Sequence, residues 1–259
     1  MNATEAAEPN APSLGAYEKH AIPFTHEFGG KKVRAYFQPY FDTREGQPKR
    51  GELLTHPLQP IQSGDFFSEL EISTQVELLA WLIDAANELA TKYHVHSSIN
   101  IHNSFIEPVT GRETFLKLVE KASSAITIEF TETFRMPPVT TSNSMLRKVR
   151  ELGHTTALDD FGTGLNGMSL LVDYDFDEIK IDRILTIGVD TTPKKSKVLS
   201  LIKEMLDVLE KTHVVEGVET KEVFDTLCEL GFTTFQGFYF HKPIPVDDYL
   251  NELEMELKQ

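Results

Sequence analysis

The chain of 259 residues contains one cysteine and one tryptophan, and its bases fall well short of its acids. A single thiol cannot close an intramolecular disulfide, so stability must come from a packed core; this usage fits a reducing compartment, and the cytoplasm is the expected location. Nowhere do eighteen apolar residues run together, and the greasiest stretch, Val76 to Ala86, is interrupted by Glu77 and Asp84, so no membrane span is expected. The N-terminus is acidic and Pro-containing, without a basic region leading into an apolar one, which excludes a secretory signal. With 25 Lys+Arg against 40 Asp+Glu the formal net charge is −15. So acidic a surface repels a phosphate polymer, which excludes DNA and RNA as partners; a small phosphate ligand would need a metal or a few placed bases.

What is present is an alternation. Residues 1–25 offer no periodic apolar face and read as a flexible tail, and 26–259 read as one domain, since no linker or charge run divides them. Strand-like runs occur at Arg34–Phe41, Arg50–Thr55, Ser97–Ile101, Ile126–Phe130, Thr155–Asp159, Glu178–Ile181, His213–Gly217 and Thr233–Phe240. Between them lie segments with apolar residues three to four apart: Leu70 to Ala86, Phe115 to Val119 and Val198 to Leu209. Eight strands alternating with helices specify a largely parallel sheet, and in a chain of this length a TIM-like (β/α)8 barrel of the α/β class. An open doubly wound sheet is the alternative on pattern alone.

Several of these strands carry an acid, an amide or, once, a lysine towards their ends, where another hydrophobe would continue the pattern. These are Glu52, Asn100, Glu129, Asp159 with Asp160, Lys180, Glu216 and Gln236. In a barrel the C-terminal strand ends converge on one mouth, where barrel enzymes keep their sites. Carboxylates crowded there raise one another's pKa unless a cation compensates. Hard oxygen donors, with no cysteine among them and no His pair at i, i+4, point to Mg²⁺ or Mn²⁺ and away from Zn²⁺.

Taken in order, Glu52-Leu53-Leu54, DDFGTG at Asp159–Gly164, KIDR at Lys180–Arg183, EGVET at Glu216–Thr220 and QGFYFHKPIP from Gln236 resemble the EAL-domain family of cyclic di-GMP phosphodiesterases, in particular its stand-alone members. The resemblance runs from about Tyr36 to Pro245. It implies hydrolysis of cyclic di-GMP to linear pGpG in bacterial signalling, with two metal ions per site. Residue by residue, it implies that Glu52, Asn100, Glu129 and Asp159 hold the first metal, and that Asp160 and Glu216 serve the second metal and the attacking water. Lys180 would hold that water, Gln236 would lie near the second metal and substrate, and Glu132 would steady the loop after the aspartate pair. Two metals about 3.5–4 Å apart can activate water, polarise phosphorus and stabilise the leaving oxygen, so the chemistry agrees with the residues. The family's habit of pairing implies a homodimer through the helices that flank the DDFGTG loop.

The chain also departs from the pattern. Leu53 stands where the family's name motif has Ala, Asn166 and Gly167 replace two serines, and His56 stands where an arginine is expected to touch substrate. Imidazole lacks the bidentate fork, so substrate contact through His56 would be weaker or pH-dependent. Leu54 is expected beside the substrate, and Tyr239 is the aromatic expected to stack on a guanine. Gly162 and Gly164 supply the backbone freedom that a metal-site loop requires. His94 and His96 are expected in the loop before their strand and not as zinc ligands, and Cys228 as a small core thiol. No GxSxG supports a serine hydrolase. The competing readings are a cyclic di-GMP receptor or protein-interaction module without turnover, hydrolysis of another small phosphodiester such as pGpG, and an unrelated metal-dependent barrel lyase or aldolase.

Overall fold

A computed structural model describes residues 24–28, 30–45, 49–58, 70–131, 136–163 and 167–256. In chain order the elements are β1 (Thr25–Phe28), β2 (Lys31–Pro39), β3 (Phe41–Asp42), β4 (Arg50–Pro57), α1 (Ile72–Tyr93), β5 (His96–Ile101), α2 (Asn103–Ile106) and α3 (Val109–Val119). They continue with β6 (Thr127–Thr131), α4 (Val139–Glu151), β7 (Thr155–Phe161), α5 (Gly167–Asp173), β8 (Glu178–Ile181), α6 (Arg183–Thr186) and α7 (Pro193–Val208). The last are β9 (Thr212–Val215), α8 (Lys221–Glu229), β10 (Thr234–Phe235), β11 (Ile244–Pro245) and α9 (Val246–Glu256).

The strands pair in the order β1-β2-β4-β5-β6-β7-β8-β9-β10-β3, with β11 on β2. Tyr40 alone separates β2 from β3, so these two form one broken strand whose first part pairs with β4 and whose end pairs with β10. That closes the sheet into the expected eight-walled barrel. From β4 to β10 each wall is parallel to the next, whereas β2 runs antiparallel to β4. The exception follows from the connection: only the short stretch between Asp42 and Arg50 joins these walls, too few residues for a crossover. The Arg34–Phe41 run is thus two strands, and of the 233–240 run only Thr234 and Phe235 are strand.

Helix α1 shows why the outer layer forms. Leu78, Leu79, Trp81, Leu82, Ile83, Ala85, Ala86 and Leu89 make one broad apolar face that is buried against the barrel, and the helix stops at His94, which adopts the left-handed conformation (φ 58°). His96 is the first residue of β5 and not part of a loop; its Nε2 lies 2.9 Å from Thr127 Oγ1. Phe24 is buried in the core and Thr25 opens β1, so these two belong to the folded domain; the rest of the expected tail lies outside the described residues. Cys228 packs half-buried against the core, as expected.

The barrel interior is unusual in its chemistry. TIM-barrel cores are commonly layers of branched aliphatic side chains. Here Arg50 of β4 reaches across to Glu178 of β8, two strands that are not neighbours, so the ion pair spans the interior. Above it, Tyr40, Ser98 and Glu129 are hydrogen-bonded and buried, and Lys180 is buried above these.

Candidate active site

At the mouth, Lys180 is the centre. Its side chain is 1% exposed, and Nζ lies 2.7 Å from Glu216, 2.8 Å from Glu129, 3.1 Å from Asp159 and 3.3 Å from Glu52. Glu52 Oε1 accepts from Asn100 Nδ2 at 2.6 Å and its Oε2 from Gln236 Nε2 at 2.9 Å. Gln236 also donates to Gln38 Oε1. Seven of the residues expected at the mouth therefore do meet there: Glu52, Asn100, Glu129, Asp159, Lys180, Glu216 and Gln236.

The strand geometry explains how Asp160 joins them. Successive residues of a regular strand point to opposite faces, but β7 is irregular between Leu158 and Phe161, and Asp160 sits at φ 57°. A bulge of this kind re-aims a side chain. Asp159, Asp160 and Glu216 can each bring one carboxylate oxygen to within 4.8 Å of the others. Thr131 Oγ1 donates to Asp160 Oδ2 at 3.2 Å. Gly162 follows at φ 109°, and a side chain there would run into Leu185, so the expected glycine requirement holds at this position. Gly164 and Asn166 of the loop, and Glu132, lie outside the described residues.

Five carboxylates against one ammonium leave the mouth at −4 when all are ionised. The titration of the group records that excess. Burial pushes Glu216 up to about 8 and Asp160 up to about 6, the latter helped by the charge on Asp159. Burial likewise raises Glu129 and Asp159. Burial also opposes ionisation of Glu52, but Lys180 and the hydrogen bonds from Gln236 and Asn100 outweigh it and hold this carboxyl below its ordinary value. Lys180 is raised in spite of burial, by Asp159, Glu129, Glu216 and Glu52. Asp159 Oδ1 is buried and accepts no well-aligned hydrogen bond, although it faces Lys180. A surplus of negative charge, raised carboxyl pKa values and an under-used buried oxygen, in an all-oxygen donor set, fit hard divalent cations.

Two hollows that share lining residues open here. One of about 300 Å³ is lined by Glu52, Leu54, Asp159, Asp160, Lys180, Glu216 and Gln236, together with Arg183, Glu219 and Phe238. The other, of about 260 Å³ and mostly apolar, shares Leu54, Asp159 and Asp160 and extends to Leu78, Leu82, His102 and Phe105. Leu54 thus stands where expected. His56 and Tyr239 do not line either hollow. β4 runs on to Pro57, well past Glu52, and carries the exposed His56 beyond the mouth, where its ring meets Tyr36 at 4.9 Å. The chain turns after Gln236 so that Phe238 enters the hollow, 55% exposed, while Tyr239 packs on Phe224 and Phe240.

Sequence reasoning missed Phe238, one residue from the aromatic it chose, and Arg183. Arg183 begins α6 three residues after Lys180, and its guanidinium pairs with Glu219 at 3.0 Å on the rim. KIDR held the signal for Arg183 and EGVET that for its partner Glu219, while QGFYF held Phe238. Gly217, at φ 64°, leaves the space into which the Arg183 stem packs.

The fold and the site define a (β/α)8 barrel protein with a cluster of carboxylates around a buried lysine at the C-terminal mouth of the strands. The chain belongs to the EAL domain family: the family profile, described as the EAL domain, matches residues 24–243. The probable cyclic di-GMP phosphodiesterase PdeG of Escherichia coli is 30% identical over 234 residues, which cover 84% of this chain and 46% of PdeG. The cyclic di-GMP phosphodiesterase PdeH of the same organism is 30% identical over 224 residues, 83% of this chain and 85% of PdeH. Some relatives are thus about twice as long as the part this chain spans. Among solved structures, an EAL domain protein from Listeria monocytogenes EGD-e superposes with a TM-score of 0.73 at 22% identity, covering 86% of this chain and 93% of that one.

Proposed function

We propose that this protein hydrolyses cyclic di-GMP to linear pGpG, using two Mg²⁺ or Mn²⁺ ions held at the barrel mouth. The observation that carries the reading is the set of five buried or half-buried carboxylates, four of them against Lys180 and the fifth, Asp160, beside Asp159 and Glu216, opening into a hollow of about 300 Å³. The names of PdeG and PdeH support it. Glu52, Asn100, Glu129 and Asp159 would hold the first ion, and Asp160 and Glu216 would serve the second ion and the attacking water.

Bound ions would supply Lewis acidity at the phosphate and at the attacking water. The remaining work falls to the chain. Glu216 takes the proton of the water as its oxygen bonds to phosphorus, and the bond from phosphorus to the 3′ oxygen breaks, that oxygen leaving with the electron pair and taking up a proton from solvent to become a hydroxyl. Lys180 holds four carboxylates in register and offsets charge that grows on the phosphoryl oxygens. Gln236 and Asn100 fix the two oxygens of Glu52. Arg183 and Phe238 replace His56 and Tyr239 as the contacts to substrate: a guanidinium for a phosphate or a guanine edge, and a ring face for a base, with Lys242 Nζ 5.5 Å from that ring. The two hollows that share Asp159 and Asp160 suit a ligand of two nucleotides with its scissile bond between them.

A homodimer and a cytoplasmic location complete the reading. Met168 and Val172 of α5 and Ile184 and Ile187 at α6 are at least half exposed, an apolar surface beside the DDFGTG loop that a second copy would cover. No helix among the described residues is long and apolar enough to cross a membrane. Incubation of purified protein with cyclic di-GMP and Mg²⁺ or Mn²⁺, followed by chromatography, is expected to yield pGpG; binding without cleavage under both metals would replace turnover by the receptor reading.

A further inference from the structure

Tyr40 belongs to none of the motifs and to no acidic cluster, yet it supports the site from below. It is the single residue between β2 and β3, and it is 2% exposed inside the barrel. Its hydroxyl donates to Glu129 Oε1 at 3.1 Å and lies 3.0 Å from Ser98 Oγ. A hydroxyl has one proton to give; since that of Tyr40 goes to Glu129, Ser98 must donate to Tyr40. The direction of the chain is therefore fixed, from Ser98 through Tyr40 to Glu129.

Glu129 is 0% exposed, and its other oxygen, Oε2, accepts from Lys180 at 2.8 Å. The carboxylate is clamped between a phenol beneath and an ammonium above. A phenylalanine would fill the same ring volume, and burying a hydroxyl costs free energy unless it is bonded, so packing alone does not account for tyrosine here. The Arg50 guanidinium, 5.3 Å from the ring centroid, holds the ring from its other side.

We propose that Tyr40 is a positioning residue for the cation centre: by fixing Oε1 of Glu129 it aims Oε2 at the mouth and sets the affinity of the site for its first divalent ion. The inference rests on the metal reading above. Groups that orient metal ligands from behind typically contribute 10- to 100-fold in affinity or activity.

The test is a calorimetric Mn²⁺ titration of wild type, Tyr40→Phe and Ser98→Ala, with circular dichroism for folding and steady-state kinetics on cyclic di-GMP. Tyr40→Phe is expected to raise the Mn²⁺ Kd about 10-fold and to lower kcat by a similar factor, with KM within about 2-fold of wild type. Ser98→Ala, which leaves the Tyr40 to Glu129 bond in place, is expected to move both values the same way by less. Wild-type Mn²⁺ affinity and kcat in Tyr40→Phe overturn the proposal, as does a raised KM at unchanged kcat. If Tyr40→Phe does not fold, Ser98→Ala decides on the same readings, wild-type values in it overturning the proposal. A wild type that binds no Mn²⁺ removes the metal reading and this inference together, whereas a wild type that binds it equally with Tyr40→Phe removes only this one.

Discussion

The floor and the mouth of the barrel are both polar, but their charges are balanced differently. At the floor, Arg50 pairs with Glu178, and Arg44 with Asp42, whose carboxyl is held down to about 2 by that partner. The histidines there, His96 and His213, are pushed down to about 4 by burial and stay neutral. At the mouth, four carboxylates share Lys180 and a fifth, Asp160, has no basic partner among the described residues, and the titration of Glu216 and Asp160 moves up. A paired interior needs nothing further; an unpaired one that persists in a folded protein marks a place for a ligand of opposite charge. The contrast separates residues that hold the barrel together from residues that hold a cation.

Variants can break that contrast. Lys180→Ala or Glu52→Ala is expected to cut turnover of cyclic di-GMP by at least about 10²–10³-fold, because each removes a preorganised charge at the reacting centre. The purified variants, checked for folding by circular dichroism, provide the measurement; wild-type turnover in either would remove its residue from the site. A floor variant should behave otherwise. Glu178→Ala strips Arg50 of its partner, and since that guanidinium is 28% exposed the cost should be about 2 kcal/mol, below the 3–5 kcal/mol of a fully buried pair. Chemical denaturation should show that loss equally with and without Mn²⁺.

The pH response sharpens the same contrast, since the two regions carry opposite signs. Glu216 loses its proton near 4.5 when unfolded and near 8 in the folded, metal-free chain, so metal-free stability should fall as pH rises across that window. His96 and His213 gain a proton near 6.5 when unfolded and near 4 when folded, so their contribution is lost as pH drops from 6.5 towards 4, by at most about 1.4 kcal/mol per pH unit for each. Thermal melts at a series of pH values should show Mn²⁺ cancelling the alkaline loss while leaving the acid loss in place. Saturating Mn²⁺, at about 100 times its Kd, should add about 2.7 kcal/mol. The smallest effect is expected at the rim. Arg183→Ala should raise KM for cyclic di-GMP about 10-fold with little change in kcat, as for an exposed charged contact; an unchanged KM would return attention to His56.

Much of this was legible in the chain before any coordinates. Eight strands are visible because β-branched runs recur between amphipathic helices, and the acids stand out because each breaks an apolar run. Other features depend on geometry that a pattern does not carry. An antiparallel first wall follows from a connection too short for a helix, and the bulge that turns Asp160 towards Asp159 depends on one left-handed residue. Glu52 is third in an eight-residue strand and not at its end, so counting onwards from it carried His56 too far to reach the hollow. Tyr40 looks like one more aromatic in a run of Tyr, Phe and Pro, and only its place two residues after Gln38, on the face that points into the barrel, sets it apart.

The claim that the surplus charge at the mouth is a demand for cations is tested most directly by titrating metal-free protein with Mn²⁺ at pH 7 in buffers of different ionisation enthalpy. Burial pushes the Glu216 carboxyl up to about 8, so at that pH binding is expected to expel its proton. The expected result is binding with release of about one proton per protein molecule, abolished in Glu216→Gln. Absence of binding, or binding without proton release, would contradict the account.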